Sequence, residues 1–315
     1  MAHGTPASSA GIGPFYTRIR RGHPPSAEQL AELEGRYAAI GGVSPLTVRT
    51  AAQVDAVRAA LDARAPGRYL VAFGAKHTEP LIEEAAALLR AAGVERVIGL
   101  VLTPHGSTMG SQEYLERAAA ALNPTPFVAV APWYAEASLV ATLAARVKEA
   151  LRFAITNGDG DGDGDGDGDG TTTATATSRA TVIFTAHSLP ERIVERGDTY
   201  PEQLAESARL VAEAAGLDDF MVAWQSAGRT PEPWLGPDVR DVVRALAADD
   251  LTDAVVICPI GFVADHLEVL YDLDVEVADI AREVGLGYAR TASLNDDPAF
   301  VATLADLIIA ADGAA

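Results

Sequence analysis

Apolar residues along this chain fall into two rhythms. Short, near-continuous apolar runs predict strands over residues 69–73, 97–103, 127–130, 181–185, 220–225 and 254–259. Between them, apolar positions three or four apart predict helices over 78–92, 111–122, 136–153, 200–215, 236–248 and 297–311. Strands that are apolar on both faces and alternate with amphipathic helices belong to parallel sheets covered on each side. The expectation is therefore an α/β fold with parallel sheets flanked by helices. No apolar run reaches the roughly 18 residues of a membrane-spanning helix. The start also lacks the basic, apolar and small-residue succession of an export signal, so the expected location is the cytoplasm.

The alternation is interrupted once. Residues 157–170 read NGDGDGDGDGDGDG and continue into a Thr/Ala-rich run ending at Ser178. Alternating Asp and Gly cannot bury apolar area, and like charges extend the segment, which predicts a disordered linker over 156–179. A calcium-binding repeat would need apolar positions at fixed intervals, and the tract has none. The linker divides a chain of 315 residues, longer than one usual domain, into expected domains 1–155 and 180–315. The closing helix is free to pack back on the first of these.

Composition narrows the classes. Hydrophobic residues make up 49% of the chain, ample for sizeable cores. A net charge of −20 repels phosphate backbones and argues against a nucleic-acid partner. Cys258 is the only cysteine, which excludes an intramolecular disulfide and any four-cysteine metal or iron–sulfur site within one chain.

Four segments could carry chemistry. In GFVADHLEVLYDLDVE, residues 261–276, Glu268, Asp272 and Glu276 are spaced to form one acidic stripe on a helix. Like charges so placed destabilise a helix, and a stripe without basic partners calls for a divalent cation or a solvated face. Asp265 and His266 stand at its head. In TAHSLP, a strand delivers His187 to a turn set by Pro190, where an imidazole could accept a proton or bind a borderline metal; a turn residue satisfied by backbone is the plainer alternative. The proline-rich loop WQSAGRTPEPWLGPD could wall a pocket for a flat apolar ligand or simply cover the core. Near the start, Arg18, Arg20, Arg21 and His23 cluster in an otherwise acidic chain, suited to carboxylate arms or to a solvated basic face. A glycine-rich phosphate loop, a dinucleotide fingerprint and an HExxH helix are all missing.

Taken together, MAHGTP, FYTRIRRGHPPS, RYAAIGGVSPL, AKHTEP, HSLPERI, YPEQL, WQSAGRTPEPWLGPD and GFVADHLEVLYDLD resemble the ferrochelatases, most closely the coproporphyrin ferrochelatases of Gram-positive bacteria. The resemblance implies two Rossmann-like domains with a porphyrin in the cleft between them. It implies insertion of ferrous iron into coproporphyrin III, with protoporphyrin insertion or a non-catalytic haem or porphyrin carrier as alternatives. It assigns His187 and Glu268 to the metal at the ring centre. Asp272 and Glu276 continue to an outer acidic site that magnesium would suit. Arg20, Arg36, Ser44, Gln53 and Tyr114 match positions that hold propionates or line the pocket. Iron is a substrate here, no further cofactor is implied, and a monomer is expected. His3 stands where family members of this type carry a tyrosine that approaches the iron from the face opposite His187. Met1 falls within the end of the family's first strand, so a gap in the first sheet is expected. Some actinobacterial relatives hold a 2Fe–2S cluster through four cysteines, which Cys258 alone cannot supply.

Overall fold

The computed structural model describes residues 1–157 and 179–314; apart from its ends, the expected linker lies outside them. The first half contains α1 (Ile12–Ile19), α2 (Ala27–Ala39), α3 (Leu46–Arg64), α4 (Ile82–Ala91), β1 (Val97–Gly99), α5 (Ser111–Leu122), β2 (Phe127–Ala129) and α6 (Ala137–Asn157). The second half opens with β3 (Ala180–His187), α7 (Arg192–Glu195), α8 (Tyr200–Ala215), β4 (Met221–Gln225), α9 (Val239–Ala248) and β5 (Ala254–Cys258). After it come α10 (Leu267–Tyr271), a π-helical turn (Asp272–Val277), α11 (Ala278–Glu283), β6 (Gly287–Arg290) and α12 (Pro298–Gly313).

The second half forms a four-stranded parallel sheet in the order β4-β3-β5-β6. Side chains alternate between its faces, and both faces are buried. Val182, Phe184, Val256 and Cys258 join one core with Leu139, Leu143 and Val147 of α6. Ile183, Val255 and Ile257 join the other with Val239 and Val243 of α9. Two buried faces explain why these strands read as unbroken apolar runs. The chain passes from β3 outward to β4 and then returns to the other side of β3 as β5, which opens a crevice at the carboxyl ends of β3 and β5.

The first half departs from expectation. β1 and β2 pair in parallel over three residues each. Residues 69–73, expected as a strand, run extended without a ladder partner. Between them and β1 lies a cavity of about 1050 Å³ lined by Ala72, Ile98, Leu100, Leu304 and Ile308. Met1 lines it, its nitrogen 2.7 Å from the Leu100 carbonyl, and Ala2 bridges to Ala75.

Two helices cross the division that the linker marks. α6 lies on the β3–β5 sheet beside α8. α12 lies against α3, and Asp312 near its end accepts from Arg68 at 2.6 Å and from Tyr69 at 2.9 Å. β6 and the helices α1 to α3 were absent from the apolar pattern. The buried side of α3 explains one omission, since two of its four buried residues, Thr50 and Gln53, are polar.

Candidate functional site

β3 ends at His187, at the crevice. Its Nδ1 lies 2.5 Å from the Ser188 carbonyl, which fixes that nitrogen as the donor and turns Nε2 toward Glu268 Oε1, 3.5 Å away. The Tyr200 hydroxyl donates to the His187 carbonyl at 3.0 Å. After β5 the chain turns at Gly261, whose amide donates to the Thr185 carbonyl at 3.1 Å. A Cβ there would meet Ala186 Cβ at 2.5 Å, so only glycine lets the turn lie this close to β3. The turn leads into α10 and presents Glu268 beside His187. Gln225 at the end of β4 ties the parts together: its Oε1 accepts from the buried Thr185 hydroxyl at 2.8 Å, and its amide donates to the Glu268 carbonyl at 3.1 Å.

The two side chains hold each other charged. Burial would lower the His187 pKa, but the Glu268 carboxylate, the Ser188 carbonyl and Asp272 outweigh it and push it up to about 9. Burial would likewise raise Glu268, yet His187 and His266 hold it well below the usual carboxylate range. His266 anchors its Nδ1 on the Ala264 carbonyl at 3.0 Å and faces Glu268 Oε2 with Nε2 at 3.5 Å. One carboxylate thus sits between two imidazoles.

The acidic stripe is not a plain α-helical face. The helix widens to a π-turn at Asp272, and the row does acquire basic partners, from other elements: Arg36 lies 3.7 Å from Asp272 and Arg240 3.8 Å from Glu276. Asp272 also accepts from the Ser226 hydroxyl. It is 6% exposed, and burial followed by the Glu268 charge raises its pKa to about 6. Among the described residues, no three His, Cys, Asp or Glu side chains converge closely enough to hold an ion by themselves. The row is therefore a succession of separate carboxylates rather than a closed cage.

From the first half, His3 is exposed, its ring centre 4.7 Å from that of His77, and the Glu268 charge reaches it. The Glu268 charge also acts on Tyr37, Tyr114 and Tyr200, in each case as a smaller cause than burial. Tyr114 is buried on α5 beneath Lys76, whose Nζ lies 5.2 Å from its ring centre. Four residues expected at the pocket have partners within the protein. The Gln53 amide is spent on the carbonyls of Val263 at 3.1 Å and Asn295 at 2.8 Å, across the seam between the halves. Ser44 is 6% exposed and accepts from the Leu46 amide at 3.3 Å. Arg36 is shared between Glu32 and Asp272 and covers the Tyr271 ring. Arg20 donates to the His23 carbonyl at 3.2 Å and stays half-buried over Tyr16.

A family model described as Ferrochelatase matches residues 1–312. The chain belongs to the ferrochelatase family. It is 39% identical over 313 residues to the coproporphyrin III ferrochelatase of Geobacillus sp. (strain WCH70), covering 98% of this chain and 95% of that protein. The corresponding protein of Bacillus subtilis (strain 168) is 41% identical, with the same coverage. Among solved structures, CbiX, described as the terminal enzyme for biosynthesis of siroheme in denitrifying bacteria, superimposes with a TM-score of 0.51 at 15% identity. That match covers 84% of this chain and 93% of CbiX, and it shows the two-domain chelatase fold.

Within this ferrochelatase the polar framework around the central pair escaped the sequence reading. Gln225, Tyr200, Tyr37 and His77 act through hydrogen bonds, ring contacts or charge on residues far away in the chain. All four lie in motifs that carry the resemblance, RYAAIGGVSPL, AKHTEP, YPEQL and WQSAGRTPEPWLGPD, but the motifs alone named no role for them.

Proposed function

We propose that this protein inserts ferrous iron into coproporphyrin III, giving iron coproporphyrin and two protons. The observation that carries the reading is the His187–Glu268 pair, 3.5 Å apart at the crevice of the four-stranded sheet. Relatives at about 40% identity that bear the coproporphyrin III ferrochelatase name point to the same substrate. Iron is the substrate, and the reaction as proposed requires no resident cofactor.

Insertion has two demands: iron must shed water, and two pyrrole nitrogens must lose protons. His187 is protonated at neutral pH because Glu268 stabilises its charge. Iron arriving at Glu268 neutralises that carboxylate, removes the stabilisation and drives the proton off His187. The freed imidazole then accepts the two pyrrole protons one after the other, releasing each before it takes the next. Asp272, poised near pH 6, and Glu276 beyond it carry protons out or iron in along the acidic row. Magnesium at the outer end remains part of this proposal. His3 faces the ring from the other wall.

No helix among the described residues is long and apolar enough to cross a membrane. A monomer acting in the cytoplasm is the setting proposed. The deciding experiment is an anaerobic insertion assay on purified protein with coproporphyrin III and protoporphyrin. Faster turnover of coproporphyrin is expected. Tight haem binding without insertion would instead identify a carrier.

A further inference from the structure

The segment between β6 and α12 supplies none of the groups described above, yet it grips the turn from which Glu268 projects. Its centre is Asn295, whose φ of 46° lies in the left-handed region that asparagine tolerates better than most side chains. The polar groups of Asn295 are engaged on every side. Its amide donates to the Val263 carbonyl at 2.9 Å. Its side chain pairs with Asp265 twice: Oδ1 accepts from the Asp265 amide at 3.0 Å, and Nδ2 donates to the Asp265 carboxylate at 2.9 Å. Its carbonyl accepts from the Gln53 amide of α3 at 2.8 Å.

α3 holds this arrangement at two points one helical turn apart. Gln53 reaches Asn295 and, at 3.1 Å, the Val263 carbonyl, while Arg49 lies 3.8 Å from the Asp265 carboxylate. Arg290 at the end of β6 lies 3.6 Å from the other Asp265 oxygen. Asp265 immediately precedes His266, the residue at which α10 begins and whose Nε2 faces Glu268 at 3.5 Å. α10 is five residues long and has no side-chain cap. So short a helix does not fix its own direction, and the aim of Glu268 depends on what holds the preceding turn.

We propose that Asn295 is a positioning residue, a clasp on residues 263–266 that keeps Glu268 facing His187 and joins this turn to α3 of the first half. That a misplaced Glu268 slows iron insertion rests on the reading above; the grip on the turn does not.

Three variants of the purified protein test this: Asn295→Gly, Asn295→Asp, and Asn295→Asp combined with Asp265→Asn. Glycine keeps the positive φ and the backbone contacts and removes both side-chain bonds. In metal-free Asn295→Gly, hydrogen exchange at the Leu270 amide, which donates to the His266 carbonyl at 2.9 Å, should quicken about tenfold and exchange at Val256 in β5 should stay level. In the insertion assay kcat should fall about tenfold with the coproporphyrin KM changed less than about twofold, the response to a displaced catalytic group. Asn295→Asp sets two carboxylates face to face and should lose more. The exchanged pair restores both bonds with the donor on the other residue and should recover most of that kcat. Unchanged exchange at Leu270, equal quickening at Leu270 and Val256, a raised KM at constant kcat, or an exchanged pair no better than Asn295→Asp would each overturn the clasp. Parent protein that inserts no iron is a different result, striking the chelatase reading while leaving the exchange comparison readable.

Discussion

The two halves of this ferrochelatase build the same kind of sheet to different degrees of completion. In the second half four parallel strands form an unbroken ladder, and β5 is buried along its whole length. In the first, β1 and β2 are three residues long, and a cavity separates them from the extended residues 69–73. The groups that must meet within a few tenths of an ångström, His187 and Glu268, come from the ends and turns of the complete sheet. The opposing wall, with His3, Tyr37 and Tyr114, comes from helices and loops around the incomplete one. Stability is unevenly spread over a fold, and regions that accommodate a ligand are drawn from its less stable part. On the proposed reading, the division is between a half that fixes chemistry and a half that fits a ring.

The sharpest way to break that comparison is kinetic. His187→Ala should lower the insertion rate by about a thousandfold, within the range for losing a positioned acid–base group, while porphyrin binding stays measurable. His3→Ala, on the facing wall, should cost much less rate and mainly alter the absorption spectrum of bound iron porphyrin. Comparable rate losses would place the chemistry on both walls and remove the distinction.

Stability offers the next test. Ile257→Ala removes a fully buried side chain from the complete sheet and should cost about 2–5 kcal/mol in urea unfolding. Ile98→Ala touches a half-buried residue that already lines a cavity, and about 1 kcal/mol is expected. If the two costs match, the first sheet is as tightly packed as the second.

The same division governs what could be read from the chain. β3, β4 and β5 were legible because both faces of each are buried, so their apolar runs are continuous. β6 was not, because its four residues include Arg290, whose guanidinium turns to Asp274 at 2.6 Å. Residues 69–73 carry the composition of a strand, yet pairing depends on a neighbour in space that local pattern does not report. At the site, His187 and Glu268 were visible through their place after apolar strands. Their charge states were not, since these come from a contact between residues 81 positions apart. Gln53 carries a role that its matching position did not announce: its amide donates to two carbonyls of the other half.

Charge provides a third test, since Glu268→Gln should move the His187 titration midpoint from about 9 to below its ordinary value near 6.5. Carbon-detected NMR of the imidazole reads this directly. A midpoint that stays near 9 would mean that Glu268 is not the cause.

The smallest expected effect is a pH trend confined to the complete sheet. His187 has a folded pKa of about 9, above its unfolded value, so its contribution is full below pH ~6.5 and lost as pH rises through about 9. Over that window, hydrogen exchange corrected for intrinsic rates should show protection falling with pH at Phe184 and Thr185 and staying level at Ile98 and Leu100. Glu268→Gln should flatten the first trend and leave the second. Parallel trends in the two sheets would mean that they open together, and that the incomplete half has no independent stability to tune.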